Sequence, residues 1–518
     1  MTKNKTFLFG LSIFFFLLVW QWNGLIHSNL GTGFDWGVQH MELFAASSEQ
    51  IYYGKELLAT PYPPLSWLYK GVFPAITKNY ETAIFQSIAI NILSACLWNT
   101  SAGGSKMRAV ITAGGRGIRV ASVNRALPKP MLPINGKPVL LHQVECLRRQ
   151  NITHITLTIG YWGEQIQKFF EDGSRFGVHI DYIREKAPLG TAGALAYLKG
   201  KISEDFLLIN GDLIFDIDFA RMEAFHKSYR AAATLLVHPN DHPYDSGIVL
   251  TGRNGQVTGW LAKEERQLWY HNCVNAGVHI LSPSVLERLK TPQKLDLDRE
   301  LLKPLIPLGK VYAYRSPEYV KDMGTPERIA QVERDLQIGL VERRNLHRRQ
   351  KAIFLDRDGT VNQYVGFLRR PEDFQLIDGV AAAVRRVNQS GHLAIVVTNQ
   401  PVIARGEASW EQLDEIHCKM ETLLGKDRAY LDDIFICPHH PDSGYPGEIA
   451  AYKVPCSCRK PKPGLLLQAA EKYHIDLVQS WMIGDSERDI QAGQAAGCQT
   501  IMLTEQFRLL DAIKSIQL

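Results

Sequence analysis

Asp356 and Asp358, spaced i and i+2, follow the short apolar run Ala352–Leu355, and Gly359 comes directly after them. At a strand end such a pair can face one phosphate if the backbone turns, and glycine permits the turn. One carboxylate can then attack phosphorus, while the other protonates the leaving group and later activates water. Two anions meeting a third require a divalent cation. Further on, Cys437-Pro438-His439-His440 and Cys456-Ser457-Cys458 offer three thiols and an imidazole, the donor set of a closed tetrahedral zinc site. Earlier in the chain the apolar run Arg108–Thr112 leads into Gly114-Gly115-Arg116-Gly117. Backbone N–H groups of such a turn suit a triphosphate, although neither the P-loop pattern nor the dinucleotide pattern is met.

Strands and helices must hold these residues. A chain of 518 residues has room for about three domains at ~150 residues each. Strand-like runs before each acidic or glycine-rich block predict α/β architecture. The net charge of +5 is too small to point to nucleic acid and suits phosphorylated small molecules equally well. Eight cysteines over this length exclude a disulfide-stapled scaffold, and three of them crowd into 437–458.

The glycine turn is followed by five blocks in order: Leu127-Pro128-Lys129-Pro130-Met131, Leu189-Gly190-Thr191-Ala192-Gly193, Asn210-Gly211-Asp212, Asn275-Ala276-Gly277 and Lys321-Asp322-Met323-Gly324. Together residues 107–335 resemble the sugar-phosphate nucleotidyltransferases. Arg119, Ser122 and Val123, with the Pro-Lys-Pro-Met block, look most like heptose 1-phosphate guanylyltransferases, and mannose 1-phosphate guanylyltransferases are close relatives. The resemblance implies a Rossmann-like domain in which a sugar 1-phosphate attacks the α-phosphorus of an NTP. It implies Asp212 and Asp322 as Mg²⁺ ligands, Arg119 and Lys129 on the triphosphate, and Lys263 on the sugar phosphate. Gly114, Gly115 and Gly117 would cradle phosphate, and Glu185, Gly190, Thr191, Gly193 and Asn275 would line the base and sugar pockets. Ile118 and Ala262 stand where the family has Thr and Glu. Losing one hydrogen bond to a charged group costs ~1.5–3 kcal/mol, enough to slow such an enzyme without abolishing it.

Residues 351–518 resemble the haloacid dehalogenase phosphatases: after Asp356–Thr360 come Val396-Val397-Thr398-Asn399, Cys458-Arg459-Lys460-Pro461 and Met482-Ile483-Gly484-Asp485. The resemblance implies a second Rossmannoid domain with Asp356 as nucleophile and Asp358 as acid/base. Thr398, Asn399, Arg459 and Lys460 would hold phosphate, and Asp356, Asp358 and Asp485 would hold Mg²⁺, with Asp489 in support. The cysteine-rich loop resembles the histidinol-phosphate and heptose 1,7-bisphosphate phosphatase branch, which implies Cys437, His439, Cys456 and Cys458 as structural Zn²⁺ ligands.

Residues 336–350 read as a basic, solvated linker helix. Residues 1–106 are hydrophobic, with Phe7–Trp20 read as a membrane anchor and Thr82–Trp98 as a second apolar stretch. Parts of 34–76 weakly resemble a loop of polytopic lipid-phosphate glycosyltransferases, which would single out Asp35. The expectation is thus a remnant segment followed by two catalytic units facing the cytoplasm, where GTP and sugar phosphates occur, with self-association as a further expectation.

Overall fold

The computed structural model describes residues 107–114, 127–243, 247–262, 265, 268–442, 444 and 446–516. The anchor reading of Phe7–Trp20, the stretch Thr82–Trp98, Asp35 and the linker before Met107 lie outside the described residues. Among the described residues no helix is long and apolar enough to cross a membrane.

The strands in chain order are β1 (Arg108–Ala113), β2 (Pro133–Ile134), β3 (Lys137–Pro138), β4 (His154–Ile159), β5 (His179–Arg184), β6 (Phe206–Asn210), β7 (Leu213–Asp216), β8 (Ala233–His238) and β9 (Ile248–Thr251). They continue with β10 (Val257–Leu261), β11 (Val274–Leu281), β12 (Val311–Arg315), β13 (Tyr319–Asp322), β14 (Ala352–Leu355), β15 (Leu393–Asn399), β16 (Asp433–Cys437), β17 (Trp481–Gly484) and β18 (Gln499–Met502).

Nine of these form one mixed sheet in the order β10-β9-β11-β6-β1-β4-β5, with β8 pairing β11 and β12. Strand alternation gives the sheet two apolar faces. Ala109, Ile111, Leu157 and Ile209 pack toward one core; Val110, Leu208 and Leu235 pack toward the other. β13 and β7 pair separately as an antiparallel ribbon. The second sheet is wholly parallel, in the order β16-β15-β14-β17-β18. Ile353, Leu355, Val396 and Ile483 face one of its cores, and Ala352, Phe354, Val397 and Met482 the other. A parallel sheet needs helices on both faces, and the near-continuous burial of β14 and β15 reflects that.

Gly104–Leu518 is one compact unit, so the two sheets share a common body. The segment read as a solvated linker is tied down instead. Only Leu340–Arg343 of it is a short helix after Pro326–Gln337. Arg344, Asn345 and Gln350 are buried. Carboxylates explain this: Arg344 pairs with Asp432 at 3.3 Å, Asn345 donates to Asp216 at 2.7 Å, and the Leu346 N–H donates to Glu318 at 2.9 Å.

A second seam runs along the helix Trp410–Lys426. Glu421, 1% exposed, accepts from His271 Nδ1 at 2.5 Å and from Arg315 and the Asn272 N–H at 3.3 Å. Thr422 accepts from the Tyr270 N–H at 2.9 Å. Burial opposes charge on His271, but Glu421 outweighs it and holds the imidazole well above its usual pKa. Removing one partner from such a buried charged network costs ~3–5 kcal/mol. Glu421→Ala is therefore expected to lower the first urea-unfolding midpoint markedly; a midpoint equal to wild type would contradict the assigned seam.

Candidate active sites

Both candidate sites lie at the carboxyl ends of parallel strands, where an open α/β sheet leaves a crevice. In the first sheet, Thr112 of β1 is in register with Asn210 of β6, and the Gly211 N–H donates to the Thr112 carbonyl at 3.0 Å. A Cβ on Gly211 would stand 2.6 Å from that carbonyl oxygen, so only glycine lets the chain pass here. Asp212 follows at once. β13 returns antiparallel to β7, with Asp322 opposite Leu213, and the Met323 N–H donates to the Asp212 carbonyl at 2.9 Å. Residues 110 apart in sequence therefore meet at one cleft.

That cleft, of about 1140 Å³, is lined by Gly114, Lys129, Glu185, Gly190, Thr191, Asp212, Asn275 and Asp322. Lys129 forms an ion pair with Asp212. Arg328 grips Asp322 through both carboxylate oxygens, at 2.9 and 2.8 Å. Two carboxylates at one cleft, each already matched by a cation, form the hard-oxygen donor set that Mg²⁺ takes together with substrate phosphates. Glu185 accepts from the Leu189 N–H at 3.1 Å, and burial raises its pKa against that bond. Gly193 is packed behind the loop: a Cβ there would meet the Gln293 carbonyl at 1.9 Å. Gly115, Gly117, Ile118, Arg119 and Lys263 lie outside the described residues. Arg328 was not foreseen; the signal was present, since Thr325-Pro326 starts the helix whose first turn carries it.

In the second sheet, Asp356 follows β14 and Asp485 follows β17, the neighbouring parallel strand. Gly359, at φ +84°, would place a Cβ 1.9 Å from Asp485 Oδ2, so the turn foreseen after Asp358 brings the loop directly against that carboxylate. Lys460 Nζ lies 2.6 Å from both Asp356 Oδ1 and Asp489 Oδ1. Asp356, Asp485 and Asp489 offer oxygens within 4.8 Å of one another. Burial pushes the Asp356 carboxyl up to about 6 despite Lys460. Burial works against Lys460, but Asp356 and Asp489 outweigh it and hold its charge. These oxygens fit a hard divalent cation.

Asp358 stands apart from this trio. Its carboxylate accepts from Arg357 at 2.8 Å to each oxygen, from Gln400 at 2.8 Å and from Asn362 at 3.1 Å. Arg357 is fully buried, and its second amino group donates to His417 Nε2 at 3.3 Å. Thr398 is buried and accepts from Gln400 at 2.9 Å. Asn399 holds Lys460 through its backbone, accepting from N–H and donating to C=O at 3.1 Å each. Arg459 donates to the His439 carbonyl at 3.0 Å. It braces the cysteine loop, and Lys460 alone of the two reaches Asp356. Arg357 and Gln400 were not foreseen, although the first lies inside the Asp-x-Asp pattern itself; Asp489 stands beside Asp485 as the resemblance implied.

Cys437, His439, Cys456 and Cys458 converge, with their donor atoms within 4.8 Å of one another. Cys458 Sγ is 3.2 Å from Cys437, 3.3 Å from Cys456 and 3.3 Å from His439 Nδ1. His440 is outside the cluster, as the choice of His439 requires. The hydrogen bond from Cys437 holds the Cys458 thiol down to about 5, and the same bond, with burial, pushes Cys437 up. Soft thiolates plus one imidazole fit Zn²⁺.

Comparison with known proteins agrees with two phosphate-handling domains. Residues 108–338 match the family model described as Nucleotidyl transferase, and residues 457–513 match one described as HAD-hydrolase-like. Mannose-1-phosphate guanylyltransferase of Mycobacterium tuberculosis is 34% identical over 235 residues, 45% of this chain and 65% of that protein. Mannose-1-phosphate guanyltransferase beta-A of Xenopus laevis is 33% identical over 226 residues, 43% of this chain and 62% of that protein. The chain thus spans under two thirds of each of these relatives. Among solved structures, HddC from Yersinia pseudotuberculosis complexed with GMP-PN is 26% identical, covering 44% of this chain and 99% of its own, with TM-score 0.39. The D,D-heptose 1.7-bisphosphate phosphatase from B. bronchiseptica, complexed with magnesium and phosphate, is 33% identical, covering 32% and 97%, with TM-score 0.28. One region of the chain thus matches a nucleotidyl transferase model and is similar to mannose-1-phosphate guanylyltransferases, and a second region matches a HAD-hydrolase-like model.

Elemental analysis of the purified protein is expected to find one zinc per chain, and the Cys456→Ser/Cys458→Ser double variant none. Equal zinc in the two proteins would refute the site.

Proposed function

We propose that the chain catalyses two consecutive steps of nucleotide-sugar synthesis. The phosphatase unit removes the C7 phosphate of D-glycero-D-manno-heptose 1,7-bisphosphate. The transferase unit then joins heptose 1-phosphate to GTP, releasing pyrophosphate and forming GDP-heptose. One observation carries the pairing: a single compact unit, Gly104–Leu518, holds both a carboxylate-lined cleft and a separate Asp356–Lys460–Asp489 centre.

In the phosphatase unit Asp356 is the nucleophile and forms an aspartyl phosphate as the sugar oxygen leaves. Asp358 protonates that oxygen and then takes a proton from the water that hydrolyses the acyl phosphate. Lys460 offsets the charge that accumulates between Asp356 and the phosphate. Thr398 and Asn399 shape the phosphate pocket. Mg²⁺ held by Asp356 and Asp485, with Asp489 beside them, would supply further charge neutralisation, and Zn²⁺ on the cysteine loop would fix the backbone that leads into Lys460.

In the transferase unit no covalent intermediate is needed, so positioning supplies most of the rate. Lys129 and Arg119 hold the triphosphate, Lys263 the sugar phosphate, and Glu185, Gly190, Thr191 and Asn275 the base and sugar. Asp212 and Asp322 would hold Mg²⁺, which stabilises charge on the phosphates.

A second reading has one specific support. The curated relatives at 33–34% identity are named for mannose 1-phosphate, so that sugar is the competing acceptor, paired with a phosphatase for another small phosphomonoester. Mass spectrometry of products from heptose 1,7-bisphosphate plus each NTP, beside mannose 1-phosphate plus each NTP, separates the readings. GDP-heptose is expected, made faster than GDP-mannose; the reverse order would replace the heptose reading. Asp356→Asn should abolish phosphate release and leave transfer to a supplied sugar 1-phosphate intact, and Asp212→Asn should do the opposite. Loss of both activities in either variant would contradict two independent centres.

A further inference from the structure

One carboxylate lines the transferase cleft without a structural task, and no sequence block drew attention to it. Asp298 borders the same cleft as Gly190, Thr191 and Asp212. It sits on a widened helical turn, Leu297–Leu302, in which the Lys303 N–H reaches back five residues to the Asp298 carbonyl. Such π-type turns displace a side chain from the face a regular helix would give it, and they concentrate at functional sites.

The turn is fastened to the glycine loop. Gly190 bridges to Leu295, the Ala192 N–H donates to the Leu295 carbonyl at 3.1 Å, and the Leu297 N–H donates to Thr191 Oγ1 at 2.7 Å. Asp298 is the next residue, so its backbone is fixed relative to the proposed base and sugar pockets. The neighbouring acids have structural work. Asp296 caps the turn by accepting from the Arg299 N–H at 2.9 Å, and Glu300 accepts from the Asp296 N–H at 2.6 Å. Asp298 has no such bond from the backbone of its turn. Burial, reinforced by Asp296, pushes its carboxyl up to about 6, as expected of an acceptor short of donors.

We infer that Asp298 is a specificity residue of the transferase, accepting hydrogen bonds from two adjacent uncharged donors of a bound substrate. Two substrate parts carry that chemistry: the N1–H and N2 amino edge of guanine, and a vicinal diol of the sugar. The inference rests on the transferase reading of this cleft and adds to it a discriminating contact.

The test uses the full chain with GTP and the sugar 1-phosphate that wild type accepts best. A hydrogen bond to a charged group is worth enough that Asp298→Asn should raise the KM of one substrate about tenfold or more, with the other KM within twofold. If the GTP value rises, the guanine edge is the partner, and wild-type preference for GTP over ITP, which lacks the amino group, should shrink in the variant. If the sugar value rises, the diol is the partner, and discrimination among epimeric sugar 1-phosphates should shrink instead. Binding of GTP and of sugar 1-phosphate by calorimetry should move in parallel with the affected KM. Phosphate release at the other centre should stay within twofold, which checks the fold. Both KM values and both affinities within twofold of wild type would overturn the role of Asp298. Failure of wild type to make any nucleotide sugar would instead overturn the transferase reading.

Discussion

Lys460 sets one ammonium between two carboxylates, Asp356 and Asp489, that would otherwise repel each other inside the protein. The same constraint recurs at three other carboxylates of the candidate sites. Lys129 matches Asp212, Arg328 matches Asp322, and Arg357 matches Asp358. A nucleophile or metal ligand must be anionic, yet a parallel strand end is a partly desolvated place where uncompensated anions are expensive. Cations fixed by the fold resolve the conflict and also remain available to an incoming phosphate. Catalytic competence and stability therefore draw on the same ion pairs.

The cations are not equivalent. Lys460 is a compact charge whose backbone is clamped by Asn399 and whose Nζ also donates to the Val397 carbonyl at 2.8 Å. Its position follows from β15, which supplies both Asn399 and Val397. Arg357 instead presents the fork of its Nε and Nη2 to Asp358, which fixes orientation as well as charge, and Arg328 bonds both oxygens of Asp322 through Nη1. At Asp358 this matters because a proton-transfer group must present a particular oxygen. Gln400 adds a second constraint by contacting both Asp358 and Thr398. The strand ends thus hold Asp356, Asp358 and Lys460 in a frame with little freedom.

Much of this was legible in the sequence because the responsible interactions are local. Ala352–Leu355 is the strand the apolar run implied, and Arg108–Ala113 continues the run Arg108–Thr112 by one residue. The convergence of the metal loop was legible from paired spacing, since the Cys-x-His and Cys-x-Cys pairs need only one loop closure to meet, while His439 rather than His440 came from the family resemblance. What could not be read was nonlocal. Arg328 reaches Asp322 only because a helix begins between them, and Asp298 enters the cleft only through a widened turn stapled to Thr191. The basic stretch 336–350 looked solvated because its partners, Asp432, Asp216 and Glu318, are distant in sequence.

The helix Trp410–Lys426 shows the same limit most sharply, and it explains why the two sheets share one body. His417, Glu421 and Thr422 follow helical spacing and would ordinarily mark a solvent face. Here that stripe is buried. His417 accepts from Arg357 beside the phosphatase aspartates, and Glu421 and Thr422 hold residues 270–272, three positions before Asn275 of the transferase cleft. A covalent linker alone could join two enzymes without burying any charge between them. Glu421, Arg315 and His271 would each be left desolvated by loss of the others, so neither face can be separated at low cost. The helix is therefore a structural bond between the two sites, and its polar residues are conditioned by both.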